Sequence, residues 1–514
     1  MRRKYPIGIQ SFEKLRNDGY LYVDKSFFVK ELSDWGCHYF LSRPRRFGKS
    51  LFVDTLHCAF EGKKHLFEGL YLEDKWDWDK KHPVLKVSFG SGVHHSVEEL
   101  QQTIEEVLNG WQKKYNIQLT APSIKGKFKE LIEGVVEQSG EQAVVLIDEY
   151  DKPILDNITN IPLATDIREE LKNFCSVLKD SDQYLKMVFI TGVSKFSKVS
   201  LFSGLNHLED LTINPTFSSI CGYTQEELES NFTEELKLYD KEEVRTWYNG
   251  YSWGNSTVYN PFGILQFFKN GVYKNYWFES GTPSFLLKLL TKNSYSITDI
   301  EDIEVSEAIA ESFELEDLEL ETLLFQTGYL TIRDVRMYGN KRTYILSYPN
   351  LEVKMSLNDT LLEYSSSRLS TKEKNVINLY NLLEKNDLES MQTLFHSFFA
   401  SVPSDWFRKN NIAEYEGFYA SVFYAYFAAL GLNVRTEDPR NDGRMDMTLL
   451  FEGRCYIFEF KVVEYSTGDG SALQQIKDKK YADKYSADYK EIYLVGVEFR
   501  KEDKNIVRFE YEQV

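Results

Sequence analysis

The sequence predicts an α/β chain: a parallel-sheet domain over residues 1–225, a helical and aromatic region over 226–370, and a second α/β domain over 371–514. Two observations carry that prediction. Apolar strand-like runs alternate with helical stretches through the N-terminal part, the pattern of βαβ units. Near the C-terminus, residues 443–461 form two apolar runs broken at Glu452-Gly453-Arg454, the pattern of a β-hairpin.

Composition narrows the function classes. A chain of 514 residues has room for about three domains. At 42% hydrophobic and 15% aromatic it can build real cores, and 27% charge is ordinary for a soluble protein. The net charge of −18 disfavours a protein that coats nucleic acid, so any such contact needs a local basic patch. Cys37, Cys58, Cys175, Cys221 and Cys455 are scattered without a Cys-x-x-Cys pair, which argues against structural zinc and a disulfide framework. That pattern fits a reducing cytoplasm. Basic Met1–Lys4 leads into no apolar signal region, and no apolar run approaches membrane-spanning length. A cytoplasmic chain with no membrane partner is the expectation.

The first chemical signal follows the run Tyr39-Phe40-Leu41. Arg43-Pro44-Arg45-Arg46-Phe47-Gly48-Lys49-Ser50-Leu51 has the layout of a phosphate-binding loop opening a helix. Loop amides and the helix N-terminus attract phosphates, Lys49 adds a point charge, and Ser50 can ligate Mg²⁺. Arg46, Phe47, Gly48, Lys49, Ser50 and Leu51 are therefore the expected nucleotide contacts. Arg43 stands where the loop's first glycine is usual, and Pro44 stiffens the turn. Arg45 and Arg46 read equally as phosphate contacts or solvated charge.

Next, residues 142–147 form an apolar run that reads as a central strand buried on both faces and ending at Asp148-Glu149. Asp148 would hold the Mg²⁺ shell, and Glu149 would polarise an attacking water. The run 185–194 ends in hydroxyl and glycine residues, which puts Thr191 where a sensor of the γ-phosphate would sit. His94-His95 lacks ligand spacing and reads as a surface loop.

With Pro6-Ile7-Gly8-Ile9-Gln10-Ser11-Phe12, Tyr22-Val23-Asp24-Lys25-Ser26, Asn249-Gly250-Tyr251 and Tyr259-Asn260-Pro261-Phe262, these motifs resemble one bacterial family. It is the AAA-ATPase-like family whose members carry a C-terminal PD-(D/E)XK nuclease domain. The resemblance covers nearly the whole chain and implies a P-loop NTPase domain of AAA-like type that binds ATP. The Arg-Pro-Arg-Arg-Phe-Gly-Lys-Ser loop is itself a trait of the family. In the middle, Trp247, Tyr248, Tyr251, Trp253, Tyr259, Tyr276 and Trp277 can stack bases, but packing of a small lid is the stronger expectation. Residues 323–332 and 343–347 read as a helix turning into a two-stranded wing, similar to the winged-helix lid of related P-loop ATPases.

The C-terminal hairpin carries the second site. A two-residue Glu452-Gly453 loop sets Phe451 against Arg454 and, counting back, Asp446 against Glu459. Directly opposed Cβ atoms lie about 5 Å apart, a distance that lets two carboxylates share one divalent cation. Lys461 projects on the same face as Glu459. An upstream helix with Glu416, this hairpin, a helix with Gln475 and a final strand together resemble the PD-(D/E)XK nuclease core. The resemblance assigns Asp446 and Glu459 to the metal, Lys461 to catalysis, Glu416 to the helix carboxylate and Gln475 to support, with Glu414 competing for the Glu416 role. Lys477, Lys479, Lys480 and Lys484 form either a solvated helix face or a patch for a nucleic-acid backbone.

The function expected is an ATP-binding, nucleotide-regulated nuclease using Mg²⁺ or Mn²⁺, with DNA the favoured substrate and defence against phage or mobile DNA the favoured role. The competing expectation is a nucleotide-switched signalling or assembly protein whose nuclease fold serves as a binding module. A homo-oligomer stays open, and neither an arginine finger nor a ring is identified.

Overall fold

The computed structural model describes residues 3–195, 208–278, 302–307, 319–365, 369–401, 416–440, 443–464, 468, 470–502 and 504–514. The chain divides into two compact units. One comprises Met1–Phe285 and Glu304–Asn350, the other Leu286–Ile303 and Leu351–Val514. The segment 226–370, expected between two end domains, is thus shared between the two units.

Unit 1 is built on five parallel strands, β1 (His38–Ser42), β2 (Val84–Ser88), β3 (Ala143–Asp148), β4 (Leu185–Gly192) and β5 (Glu209–Asp210), in the order β2-β3-β4-β1-β5. Strands β1, β3 and β4 are almost wholly buried, as expected for a parallel sheet covered on both faces. One face packs on helices Val97–Tyr115, Ile124–Ser139 and Ile161–Cys175 through Val145, Ile147, Val188 and Ile190. Ser96, Ser123 and Asn160 cap those helices with side-chain acceptors. Helix α1 (Lys49–Phe60) packs on β2, β3 and β4, with Phe52 against Phe189 at 5.8 Å. The register Leu41↔Thr191 and Ser88↔Asp148 brings the C-terminal ends of four strands level.

The remaining described part of unit 1 reaches the loop after β1 through Asn260, Trp277 and Gly328. Strands β6 (Tyr251–Ser252) and β7 (Thr257–Val258) pair antiparallel ahead of helix α2 (Pro261–Asn270). Asn260 caps α2 and Pro261 occupies its first turn. Strand β8 (Ile303–Ser306), helix α3 (Leu320–Thr327), β9 (Thr331–Tyr338) and β10 (Lys341–Ser347) follow. The expected helix and two-stranded hairpin are present, with β8 extending the sheet to β8-β10-β9.

Unit 2 is a five-stranded sheet in the order β11-β12-β13-β14-β15, formed by β11 (Asn433–Arg440), β12 (Gly443–Phe451), β13 (Arg454–Val463), β14 (Glu491–Arg500) and β15 (Asn505–Gln513). Only β13 and β14 pair in parallel. Alternation of side chains splits β13. Tyr456, Phe458 and Phe460 join the core shared with helix α4 (Leu388–Ser401) and helix α5 (Glu416–Ala429). Cys455 and Ile457 face helix α6 (Ser471–Asp478), which joins β13 to β14 and buries Ile476 against them.

Candidate functional site

In unit 1 the chain leaves β1 at Ser42 and enters α1 at Lys49, and the backbone between them is unusually well accounted for. Every carbonyl from Arg43 to Gly48 accepts a hydrogen bond from protein. Lys49 Nζ donates to Arg43 O at 2.8 Å and Pro44 O at 2.9 Å. Trp277 Nε1 donates to Arg45 O at 3.0 Å, and Asn260 Nδ2 reaches Arg46 O at 3.5 Å. Gly222 N and Phe52 N serve Phe47 O and Gly48 O. Among the described residues, the N–H groups of residues 46–50 donate to no protein acceptor. Consecutive free amides at a helix N-terminus are an anion-binding nest.

Two residues of the loop take positive φ, Gly48 at 96° and Arg46 at 66°. The left-handed region costs a non-glycine residue about 1–2 kcal/mol. Arg46 is held there by Asn260 and by the Phe262 ring, whose centroid lies 4.1 Å from its guanidinium carbon. Arg43 does not need positive φ, which explains why no glycine is required at its position. Its side chain is fully buried, donates to Ser42 O, Thr212 O and Phe217 O, and lies 4.1 Å from the Trp253 ring. With no carboxylate hydrogen-bonded to it, burial pushes its pKa down to about 10.

Arg46, Phe47, Gly48, Lys49, Ser50, Leu51 and Glu149 line one cavity of about 430 Å³. Pro6–Gln10 and Pro261, Phe262 and Leu265 line it too, so motifs far apart in sequence converge on one site. Burial pushes the Lys49 pKa down against the pull of Asp148, and less strongly of Asp151 and Glu149. Asp148 is 3% exposed, and its Oδ1 has no hydrogen-bond partner among the described residues. A buried carboxylate oxygen in that state is costly unless a cation or its water shell supplies the partner, so Asp148 fits a nucleotide-bound Mg²⁺. Glu149 sits at φ 52° against Gly90, where a Cβ would meet its Oε2 at 2.2 Å. Burial, then the Asp148 charge, raises its pKa.

Thr191 is placed differently from the expectation. Its buried hydroxyl donates to Leu41 O at 2.8 Å inside the sheet, and the cavity wall after β4 is formed by Val193. Sequence reasoning missed Asp151, a buried residue of the same cavity wall. It accepts from Val193 N at 2.9 Å, Ser194 N at 2.6 Å and Ser194 Oγ at 2.7 Å, holding the chain beyond β4. It also missed the role of the aromatic segment. Phe47 lies edge-on to Tyr251 and Trp253, with centroids 4.8 and 5.4 Å away, so those rings pack the loop from outside. His94 is 4% exposed rather than a surface residue, because its ring bonds Thr103 Oγ1 and its carbonyl accepts from Asn157.

In unit 2, Glu452 (φ 46°) and Gly453 (φ 80°) make the two-residue hairpin turn that matches strand twist. Phe451 faces Arg454 as expected, and the ladder runs back to Met447↔Phe458. Asp446 and Glu459 are the next positions in that register. There Asp446 Oδ2 accepts from Phe460 N at 2.8 Å, which sets its carboxylate on the β13 backbone between Glu459 and Lys461. Glu459 is 3% exposed, and its Oε1 accepts from Gln475 Nε2. Lys461 Nζ donates to Ser471 O at 3.3 Å. Helix α6 comes this close because Gly496, the β14 neighbour of Glu459, has no side chain. A Cβ there would lie 2.4 Å from Leu473 N.

Asp446, Glu459, Lys461 and Gln475 are therefore brought together. Glu416 opens α5, but its side chain, like Glu414, lies outside the described residues. Lys477 is paired with Glu512. Among the described residues no group of three or more His, Cys, Asp or Glu side chains could hold a metal. Two carboxylates nonetheless fit Mg²⁺ or Mn²⁺, which bind through one or two carboxylates and complete their shell with water and substrate phosphate.

Comparison with known proteins matches a family model to each end of the chain. Residues 6–202 match the family model described as "Predicted AAA-ATPase", and residues 414–509 match that of the PD-(D/E)XK nuclease superfamily. A protein of Azotobacter chroococcum mcd 1, described as "Uncharacterized protein in vnfD 5'region", is 50% identical over 514 residues, covering 100% of this chain and 99% of the relative. Among the described residues no helix is long and apolar enough to cross a membrane.

Proposed function

We propose a function for a chain that belongs to the AAA-ATPase-like family with a C-terminal PD-(D/E)XK nuclease domain: an ATP-binding protein that hydrolyses nucleic-acid phosphodiester bonds with a divalent cation. The observation that carries it is the meeting of Asp446, Glu459, Lys461 and Gln475 where β12, β13 and the first turns of α6 adjoin. Asp446 and Glu459 would hold Mg²⁺ or Mn²⁺, with Glu416 the expected third carboxylate. The bound cation supplies charge stabilisation of the scissile phosphate and a more acidic water. Gln475 fixes the Glu459 carboxylate, and Asp446 is fixed by the Phe460 amide. Lys461, whose amine reaches the start of α6, would hold a water or meet negative charge developing on the phosphate.

DNA is the substrate we favour, because the nuclease resemblance points to it. Defence against phage or mobile DNA is the role we favour, from the pairing of an ATPase with a nuclease in one chain. That pairing also motivates nucleotide control of cleavage. A Lys49→Ala protein that cuts with an unchanged response to ATP would refute such control.

The decisive experiment is cleavage of supercoiled plasmid and single-stranded DNA in Mg²⁺ or Mn²⁺, with and without ATP, for the parent and Glu459→Ala. Cutting by the parent alone supports the nuclease. No cutting under any condition, with ATP still bound, supports the second reading, a nucleotide-switched assembly protein. One observation favours that second reading: Arg43 stands where the loop's first glycine is usual, and its side chain bonds Ser42 O, Thr212 O and Phe217 O instead of lining the nucleotide cavity.

A further inference from the structure

Beside the nuclease site lies a further acid that its motif does not include. Glu498 on β14 is 1% exposed, and burying a carboxylate is costly unless it is well bonded. Its register neighbours are Lys461 on β13 and Arg508 on β15, so it lies in a row of alternating charge across the sheet. Its oxygens accept from Gly470 N at 3.2 Å, Ser471 Oγ at 3.3 Å and Ala472 N at 3.1 Å. These three residues are the cap and first turn of α6. Gly470 has no side chain with which to cap the helix, so the neighbouring strand supplies the cap. An anion at this end also complements the helix dipole.

What hangs from that first turn is the site itself. Ser471 O receives the Lys461 amine. Gln475, four residues on and so on the same helix face, donates to Glu459. Between them, the Leu473 backbone presses on Gly496. We infer that Glu498 is a positioning residue of the nuclease site: by fixing where α6 begins, it sets both helix-borne contacts to Lys461 and Glu459. This inference rests on the nuclease reading above.

The test uses the full chain in Mn²⁺ and compares the parent with Glu498→Gln, Gln475→Ala, their double variant and Glu459→Ala. Glu498→Gln keeps the shape and removes the anion. The expected loss is about 10–100-fold in kcat, the scale for partners that orient metal-binding groups, with KM within about twofold. In the Gln475→Ala background the same change should cost less than it does in the parent, because part of its effect runs through Gln475 on the same helix. Parent-like kcat in Glu498→Gln overturns the inference, and so does a double-variant loss equal to the product of the single losses. Should Glu498→Gln fail to fold, Glu498→Asp, which keeps the charge but withdraws it by one methylene, is read by the same two criteria. Amide exchange gives a readout independent of turnover: Ala472 to Gln475 should exchange about tenfold faster in Glu498→Gln, and unchanged exchange also overturns the inference. Failure of the nuclease reading looks different, because there the parent itself does not cut or Glu459→Ala cuts as well as the parent.

Discussion

The two candidate sites each set a lysine among acidic residues, with opposite use of the chain. In unit 2 the contacts are local: Asp446 to Phe460, Glu459 to Gln475 and Lys461 to Ser471 span 14, 16 and 10 residues. In unit 1 the loop is held from far away. Trp277 and Asn260 reach its carbonyls across 232 and 214 residues, and Arg43 reaches Phe217 across 174. A hairpin and one helix turn carry most of their geometry in their own sequence. A loop clamped by distant residues depends on the whole unit having folded.

Substitutions sharpen that contrast, beginning with the largest effect. Glu459→Ala should lower cleavage about a thousandfold or more, the scale of losing a group that organises transition-state charge, while ATP affinity in unit 1 stays at the parent value. Lys49→Ala removes a charge-assisted contact of about 2 kcal/mol, and titration calorimetry should show ATP binding weakened roughly thirtyfold. Gly496→Ala drives a methyl into the Leu473 backbone. It should cost about 1–3 kcal/mol of stability, read as a lower unfolding midpoint, and should reduce cleavage without touching nucleotide affinity. Trp277→Phe keeps the ring and loses the indole N–H, so a cost of about 1 kcal/mol should weaken ATP binding about fivefold. Normal ATP affinity in Trp277→Phe would break the comparison, because the distant clamp would then be dispensable. Gly453→Ala, at φ 80° in the hairpin turn, should cost about 1 kcal/mol of stability and leave the ATP site unchanged.

Legibility in the sequence follows the same division. The hairpin register was readable because a two-residue turn and a period of two leave little freedom, and Phe451 does face Arg454. The strand ending at Asp148 was readable because a continuous apolar run has one natural reading in an alternating chain. Arg43 looked like a lost glycine, and only its backbone angle and its three carbonyl partners give it a purpose. Thr191 lies in the expected strand, but spacing does not reveal which way a hydroxyl turns, and this one turns to Leu41. Asp151 and Glu498 carry no local mark, since their partners are backbone amides and hydroxyls that no motif records. The aromatic segment was readable as packing, but not as packing against the loop.

The turn at Glu452 and Gly453 also limits how such a chain can vary. Because side chains alternate with a period of two, one residue inserted there would send Asp446 to the face of Phe458 and Phe460, among the aromatic side chains of the core. A residue may be exchanged in this connection, but the pairing that sets Asp446 on the face of Glu459 depends on its length.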